Sequence, residues 1–450
     1  MNIKKIVIRA AIIISVLLLL FKGFLMYRNY ASYQDVIHEN ADHIIKVKVD
    51  GLIQTIVFNA ISNPSFYNRT STEKDSLKTD KKTGKGFSIP ANLFVYTIKN
   101  KPSTTFFTSL KLTDSSNFTN HLMSDFKIEN FETSKGITIA TTNDHNFLIA
   151  FNDKQCVMAY NPSKENINEV FSELLIDNKT LSKSDEKWSK IKDANSHINY
   201  VTKNNNLHLD FNSGNISITG NLELPVFLNV PRTYTGVQFS KDASATLNLN
   251  VFSTLQYVSF DFEGTEIKVD SLNDYYNGHI ALEIAQTTTQ IDSIISYTYN
   301  DDFEKVETKS AVKKEVPEIN VQLSSKGSKL YKYLERASII KQGMLNKELF
   351  PLYQFKIDTT TTSLLASTNI HKPEVFIETE NTNVLELNID FKKLKQQNHF
   401  PMLNSYLEQL LTLKTIGTFN KDETLQIEGK VQFANKDINA LVQLVMENLE

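Results

Sequence analysis

The sequence predicts an α+β chain of strand-rich antiparallel sheets with a few amphipathic helices, preceded by one N-terminal transmembrane helix. Three observations predict it. From residue 91 onward, short runs rich in Ile, Val, Phe, Tyr and Thr alternate or stay apolar, the signature of strands. A few segments carry apolar residues at helical spacing. Ahead of both lies one long apolar run, Ile6 to Tyr27 (IVIRAAIIISVLLLLFKGFLMY).

The apolar core of that run, Ala10 to Phe21, has Ser15 as its one polar guest. Taken to its full extent, 6–27, it reaches 22 residues. At about 1.5 Å per residue such a helix is long enough for a bilayer core. Arg9 and Lys22 stand near its ends, where long cationic side chains can snorkel, and Tyr27 and Tyr30 suit the far interface. Lys4, Lys5 and Arg9 make the N-terminal flank the more basic one, which directs the short N-terminus to the cytoplasm and the body outside it. The best small-x-small cleavage site, Asn29-Tyr30-Ala31, is poor, so an uncleaved signal anchor is expected ahead of a cleaved signal peptide. The membrane is then the first expected partner, through a single-pass anchor.

Hydrophobic residues make up 41% of the chain and aromatics 10%, enough for packed cores, which excludes global disorder. The formal net charge of −3 is spread along the chain, without the basic footprint of a nucleic-acid binder, so no nucleic-acid partner is expected. The single cysteine, Cys156, lies in a strand-like run and reads as a buried structural thiol. A chain without internal disulfides that is rich in Asn, Lys and Ile fits a bacterial envelope protein better than a secreted eukaryotic one. The sequons at Asn68, Asn117, Asn178 and Asn215 carry little weight in so Asn-rich a chain.

Along the chain, HIIKVKV (43–49) reads as a strand and GLIQTIVFNAI (51–61) as a helix. Residues 66–86, rich in Lys, Thr and Asp, read as an exposed loop. Strands are predicted at 91–99, 104–112, 135–142, 146–151 and 156–160. A helix over 117–126 is capped from Ser115-Ser116, and a second follows Ser163 with Val170, Phe171, Leu174 and Leu175 in one stripe. Strands resume at 197–201, 207–211 and 215–230. Residues 234–300 alternate at length, and their Thr-rich positions fit the solvent face of an antiparallel sheet. The charged stretch 301–317, ending in Pro317, reads as a linker or a hairpin tip, with a boundary preferred. The last part is mixed: helices at 329–340, from Pro401 and after Asp437, with strands at 354–357, 375–379, 384–389 and 424–433. NISITGNLEL (215–224) and TLQIEGKVQF (424–433) share the pattern I-x-G-x-[LV]-x-[LF], which suggests two related α+β modules, one in each half. The expected organisation is a signal anchor at 6–27, an N-terminal α+β module at 41–230, a long-stranded β region at 231–300 and a C-terminal α+β module at 318–450.

Motifs for chemistry are missing: no nucleophile elbow, Walker A loop, zinc spacing or dinucleotide fingerprint occurs. Thr83-Gly84-Lys85-Gly86 lacks the strand and helix frame of a phosphate loop. The densest titratable cluster is Asp35, His38, Glu39, Asp42 and His43. On a helix His38 and Asp42 would share a face and a metal ion, but a solvated linker explains the cluster better. His208 and His279 read as structural, Asp301-Asp302 as a solvated run, and Asp261 with Glu263 as the polar side of an alternating strand. Trp188, in polar surroundings, reads as part of a docked helix end. No catalytic, cofactor-binding or metal-binding residue is assigned, and no cofactor is expected.

GFSIPANLFVYTI, SLKLTDSSNFTNHL, GITIATTNDHNFLIAFNDKQCVMAY, VLELNIDFKKL and LQIEGKVQF follow one another in an order that resembles a group of uncharacterised, lipoprotein-like envelope proteins of Bacteroidetes. The likeness covers about 86–230 and 384–450 and is one of pattern. It implies an envelope location and an α+β fold, with no catalytic signature. The expected function is therefore a non-enzymatic, membrane-anchored binding or scaffold protein in the periplasm, held at the bacterial inner membrane, with envelope proteins or lipid as partners. The alternative is a tethered carrier of lipid or another hydrophobic ligand, its long amphipathic strands curling around an apolar cavity.

Overall fold

The computed structural model describes residues 3–34, 36–71, 84–262, 265–299, 305–371, 376–405, 407–420 and 423–447. The chain divides into two compact units, 1–213 with 437–439 and 214–436 with 440–450. Both are strand-rich and their sheets are antiparallel.

Unit 1 runs α1 (Ile3–Ala31), β1 (Ala41–Lys48), α2 (Val49–Ser62), α3 (Pro64–Ser71), β2 (Asn92–Ile98), β3 (Phe106–Lys111), α4 (Ser115–Asp125), β4 (Asn130–Ser134), β5 (Ile137–Thr141), β6 (Phe147–Phe151), β7 (Gln155–Tyr160), α5 (Asn168–Leu175), α6 (Glu186–Asp193), β8 (Ile198–Val201) and β9 (Asn206–Asn212). Its strands pair in the order β9–β8–β1–β2–β3–β7–β6–β5–β4. The stripe expected on α5 is the one it buries: Val170, Phe171, Leu174 and Leu175 join Ile44, Phe94, Tyr96 and Phe107 in the main core. A second cluster gathers Phe118 and Leu122 of α4 with Ile149, Phe151 and Cys156. The cap of α4 is Asp114, which accepts from the Asn117 backbone N–H, rather than the serines that follow it. The helix expected from Ser163 starts later, because Ser163 Oγ donates to Asn161 Oδ1 instead of capping. Residues 64–71 are helical, so the loop expected from residue 66 is shorter than its composition suggests. Gly86 has a use of its own. Its φ is +76°, its carbonyl accepts from Thr113 and Asp114, and a Cβ there would strike the backbone of Asp114 and Phe118. It therefore seats the start of α4.

The N-terminal transmembrane helix of the expected fold is corrected by the structure. Among the described residues no helix is long and apolar enough to cross a membrane. Arg9 and Lys22 lie within the run and Arg28 directly follows it, and α1 belongs to unit 1. Arg28 grips Asp50 with two hydrogen bonds of 2.9 Å, Nε to Oδ2 and Nη2 to Oδ1, and donates a third to the Ile89 carbonyl. Asn29 and Ser32 accept from the Asn92 amide. Arg28, Asn29 and Ser32 thus tie the end of α1 to unit 1, while Tyr27 and Tyr30, expected at a headgroup interface, are exposed.

Unit 2 runs β10 (Asn215–Glu223), β11 (Leu228–Asn229), β12 (Tyr234–Gln238), β13 (Ala245–Asn250), β14 (Phe252–Ser253), β15 (Ser259–Phe262), β16 (Thr265–Lys268), α7 (Val269–Asn273), β17 (Tyr276–Tyr299), β18 (Lys305–Ser325), α8 (Gly327–Arg336), β19 (Ile340–Lys341), β20 (Met344–Leu345), β21 (Lys356–Thr359), β22 (Ser363–Ser367), β23 (Ile377–Asn381), β24 (Leu385–Asp390), α9 (Phe391–Gln397), a 3₁₀ turn (Pro401–Leu403), β25 (Leu410–Phe419), β26 (Thr424–Phe433) and α10 (Ala440–Glu447). Its main sheet has the order β20–β21–β22–β18–β17–β13–β24–β25–β26–β10. From Lys305 on, the charged stretch expected as a boundary is strand β18, paired to β17 as far as Tyr299↔Lys305. The helix expected from Pro401 ends after one 3₁₀ turn, and Leu410–Phe419 is strand.

The repeated I-x-G pattern also has a different cause. β10 and β26 are partners in one sheet, with Ile218 opposite Gly429 and Gly220 opposite Ile427. A Cβ on Gly429 would press on Thr415 and Ile218. The echo records one antiparallel pairing within unit 2.

In the Thr-rich run Thr287 and Thr289 are exposed, as expected, but elsewhere the alternation of β13, β17 and β18 puts polar side chains on a face that is buried. Asn248 and Asn250 of β13, His279 and Glu283 of β17, and Asn320 and Gln322 of β18 share it and are all buried. The ribbon β12–β23 lies over them. Asn250 accepts from Thr235 N–H and donates to Thr235 C=O, both at 2.9 Å. Glu283 accepts from Ser240 N–H at 3.0 Å, and Gln322 from Phe376 N–H at 3.1 Å. These side chains take the place of water for a backbone that would otherwise be buried without partners.

Candidate binding cavity

The cavity of interest lies in unit 1 and has a volume of about 490 Å³. Four elements frame it. The end of α1 supplies Lys22, Leu25, Met26 and Asn29; β1 supplies Lys46 and Lys48; α2 supplies Asp50, Gln54, Thr55 and Phe58; α6 and the segment after it supply Lys192, Asn195 and His197. Asp210 of β9 completes the acidic side chains.

The local sequence explains the arrangement. In β1, Ile44 and Lys46 fall on the same buried face by strand alternation. Lys46 is 2% exposed. Its ammonium donates to the carbonyls of Ile191 at 2.9 Å and Ala194 at 2.6 Å, the open C-terminal carbonyls of α6, and stands 5.4 Å from the Tyr33 ring centroid. Burial pushes its pKa down to about 8, nearby Lys48 pushes the same way, and Asp193 opposes. Lys48 lies along Gly51, whose missing side chain leaves space for the lysine stem, and donates to Asn195 O.

The acids of the cavity are already engaged. Asp50 is held by Arg28. Asp210 accepts from Ser196 Oγ at 2.7 Å and from His197 N–H at 3.0 Å. The His197 ring accepts from Phe211 N–H at Nδ1 and meets Thr55 Oγ1 at Nε2, 2.8 Å away, while Thr55 donates to Gly51 O. Burial lowers the His197 pKa against the pull of Asp210. Among the described residues, Lys22, Lys48 and Lys192 form no ion pair. The lining thus combines cationic side chains with apolar ones, among them Met26, 65% exposed, and Phe58, 67% exposed.

The titratable cluster at 35–43 does not assemble. Ala41–Lys48 is strand, so the helical i, i+4 relation of His38 and Asp42 is absent. His38 is buried, accepting from Asn40 N–H and meeting Glu173 at 3.1 Å. His43 stacks on Tyr200 and bonds its hydroxyl at 2.7 Å. Asp35 lies outside the described residues. Among the described residues no group of three or more His, Cys, Asp and Glu is placed to hold a metal ion. Cys156 is buried, with its thiol pushed up to about 12 by desolvation. His208 meets Asn199, and His279 meets Asn248 in a strand of unit 2 rather than at a turn. Asp261 is exposed in β15, while Glu263, Asp301 and Asp302 lie outside the described residues. Of the Thr83–Gly86 motif, the described part serves α4, and Thr83 lies outside. Trp188 is the docked helix residue expected, with its ring edge-on to Tyr33 at 5.8 Å.

Sequence reasoning missed the cavity, because its lysines come from three separated segments. One local signal existed: Lys46 sits where alternation in HIIKVKV calls for a buried residue.

No family model matches this chain, and no curated protein matches it. Solved structures with some likeness include three crystal forms of TP0453. Form I is 16% identical with a TM-score of 0.27, covering 41% of this chain and 76% of that one. Form IV is 15% identical at 0.26, covering 42% and 78%. Form III is 14% identical at 0.28, covering 45% and 88%. At these scores the likeness does not establish a shared fold.

Proposed function

We propose that the protein is a binding protein of the bacterial envelope, acting outside the cytoplasm by recognition rather than catalysis, and that the unit 1 cavity is where its ligand sits. The observation that carries this is a cavity of about 490 Å³, a size typical of small-molecule sites, lined by both cationic and apolar side chains. The histidines and acids around it are engaged with backbone and neighbouring side chains, as a rigid receptor requires. The apolar run Ala10–Phe21, with its resemblance to an export signal, and the pattern shared with Bacteroidetes envelope proteins support the compartment.

Native mass spectrometry of the full chain tests the cavity. A bound small molecule is expected on the wild type and not on Gln54→Trp, which fills the space. Identical spectra, both at the mass of the bare chain, refute the reading. The exposed Met26 and Phe58 favour a second reading along the same line, a carrier of a hydrophobic ligand.

A further inference from the structure

Two features of the cavity call for different parts of one ligand. Its charge is unbalanced: Lys22, Lys46, Lys48 and Lys192 line it against Asp50 and Asp210. Asp50 is spent on Arg28, and Asp210 on Ser196 and the His197 backbone. Lys46 is spent too, on the α6 carbonyls, and Lys48 uses one donor on Asn195 O, while Lys22 and Lys192 are exposed; among the described residues none of Lys22, Lys48 and Lys192 forms an ion pair. The positive field is felt within the protein, since Lys48 disfavours the charged forms of both Lys46 and His197. Asp193, outside the lining, acts in the opposite sense on Lys46. A bare inorganic anion would satisfy the lysines but not Leu25, Met26 and Phe58, which add apolar surface to the lining, the first two within a turn of Lys22 on α1. A neutral apolar molecule would cover that surface and leave the lysines unanswered.

We propose that the cavity takes a single-chain anionic amphiphile, with its carboxylate or phosphate head among Lys22, Lys48 and Lys192 and its alkyl chain along Leu25, Met26 and Phe58. The head gains charge-assisted hydrogen bonds from ammonium groups, and the chain removes apolar surface from water. Because lysines rather than a bidentate arginine face it, the site reads charge and not the planar shape of one head group. This rests on the reading of the cavity as the ligand site.

Calorimetric titration of the full chain, below micellar concentrations, tests it with four probes: octyl phosphate, octanoate, octyl glucoside and inorganic phosphate. The two charged amphiphiles are expected to bind at least about ten-fold more tightly than octyl glucoside or inorganic phosphate, and more weakly as salt rises. The double variant Lys22→Gln/Lys192→Gln, on two exposed side chains, is expected to cost about ten-fold in octyl phosphate affinity at an unchanged melting temperature. Equal binding of octyl glucoside, tight binding of inorganic phosphate alone, or indifference to the double variant overturns the proposal. If it falls while Gln54→Trp still removes a bound species from the wild type, the cavity remains the binding site for another ligand class. If Gln54→Trp changes nothing with any probe, the cavity reading falls as well.

Discussion

Lys46 offers a demanding test of how unit 1 is held together. Replacing it with Met keeps the length of the stem and removes the ammonium that donates to the carbonyls of Ile191 and Ala194. An orphaned buried acceptor costs roughly 1–3 kcal/mol, and relief from burying a charge offsets part of that. The expected net loss at pH 7 is about 2 kcal/mol. The pH dependence is more diagnostic. In the folded chain the Lys46 pKa is pushed down from its ordinary 10.5 to about 8. Between those values the unfolded chain holds the proton and the folded one does not, so unit 1 gains stability as pH rises from 8 towards 10.5. That gain is absent below pH 8. The shift corresponds to about 3 kcal/mol across the window. Urea unfolding followed by the fluorescence of Trp188, the single tryptophan, which packs beside Tyr33, reports unit 1 directly. Wild type should become more stable from pH 8 to 10 relative to Lys46→Met, in which this contribution is gone. Parallel curves for the two proteins, at any offset, would refute the argument that the buried ammonium is destabilised by its surroundings.

Other consequences follow from particular contacts. Gly86→Ala should destabilise unit 1 by at least about 2 kcal/mol, since a side chain at φ +76° also collides with the backbone that starts α4; an unchanged urea midpoint would sink this. Asn250→Leu should cost about 2–4 kcal/mol and expose the Thr235 amide to hydrogen exchange, because both backbone groups of Thr235 lose their partner; retained protection there would show that the ribbon holds itself. His279 is buried and neutral, with its pKa pushed down to about 4. Below the ordinary 6.5 the unfolded chain takes up the proton first, so unit 2 should lose about 3 kcal/mol as pH falls from 6.5 to 4. Exchange rates along β17 measure it, and a profile unaltered by His279→Gln would contradict the assignment.

Much of the architecture was legible because it follows from local periodicity. The strands of both units lie near the runs of alternating Ile, Val, Phe and Thr, and the stripe on α5 fell where 3.6-residue spacing put it. What periodicity cannot see is what lies on the other side of a face. The polar face of β13, β17 and β18 looks like a solvent face in sequence, and becomes interior only because a ribbon from residues 234–238 and 377–381 crosses it. The I-x-G echo reads as two modules, yet its two copies are neighbouring strands of one sheet. Leu410–Phe419 has enough leucine to pass for a helix, and its cross-strand partners on β24 and β26 decide otherwise.

The sequence by itself determined the strand-rich α+β class, the core residues of the central strands and the lack of a contiguous catalytic motif, since each depends on residue type and short-range spacing. Tertiary structure alone decided that the end of α1 packs on protein through Arg28 and Asp50, that Lys46 closes the end of α6, and that lysines from residues 22, 46, 48 and 192 line one cavity. Those are contacts between segments far apart in the chain, and no local pattern encodes the distance that folding removes.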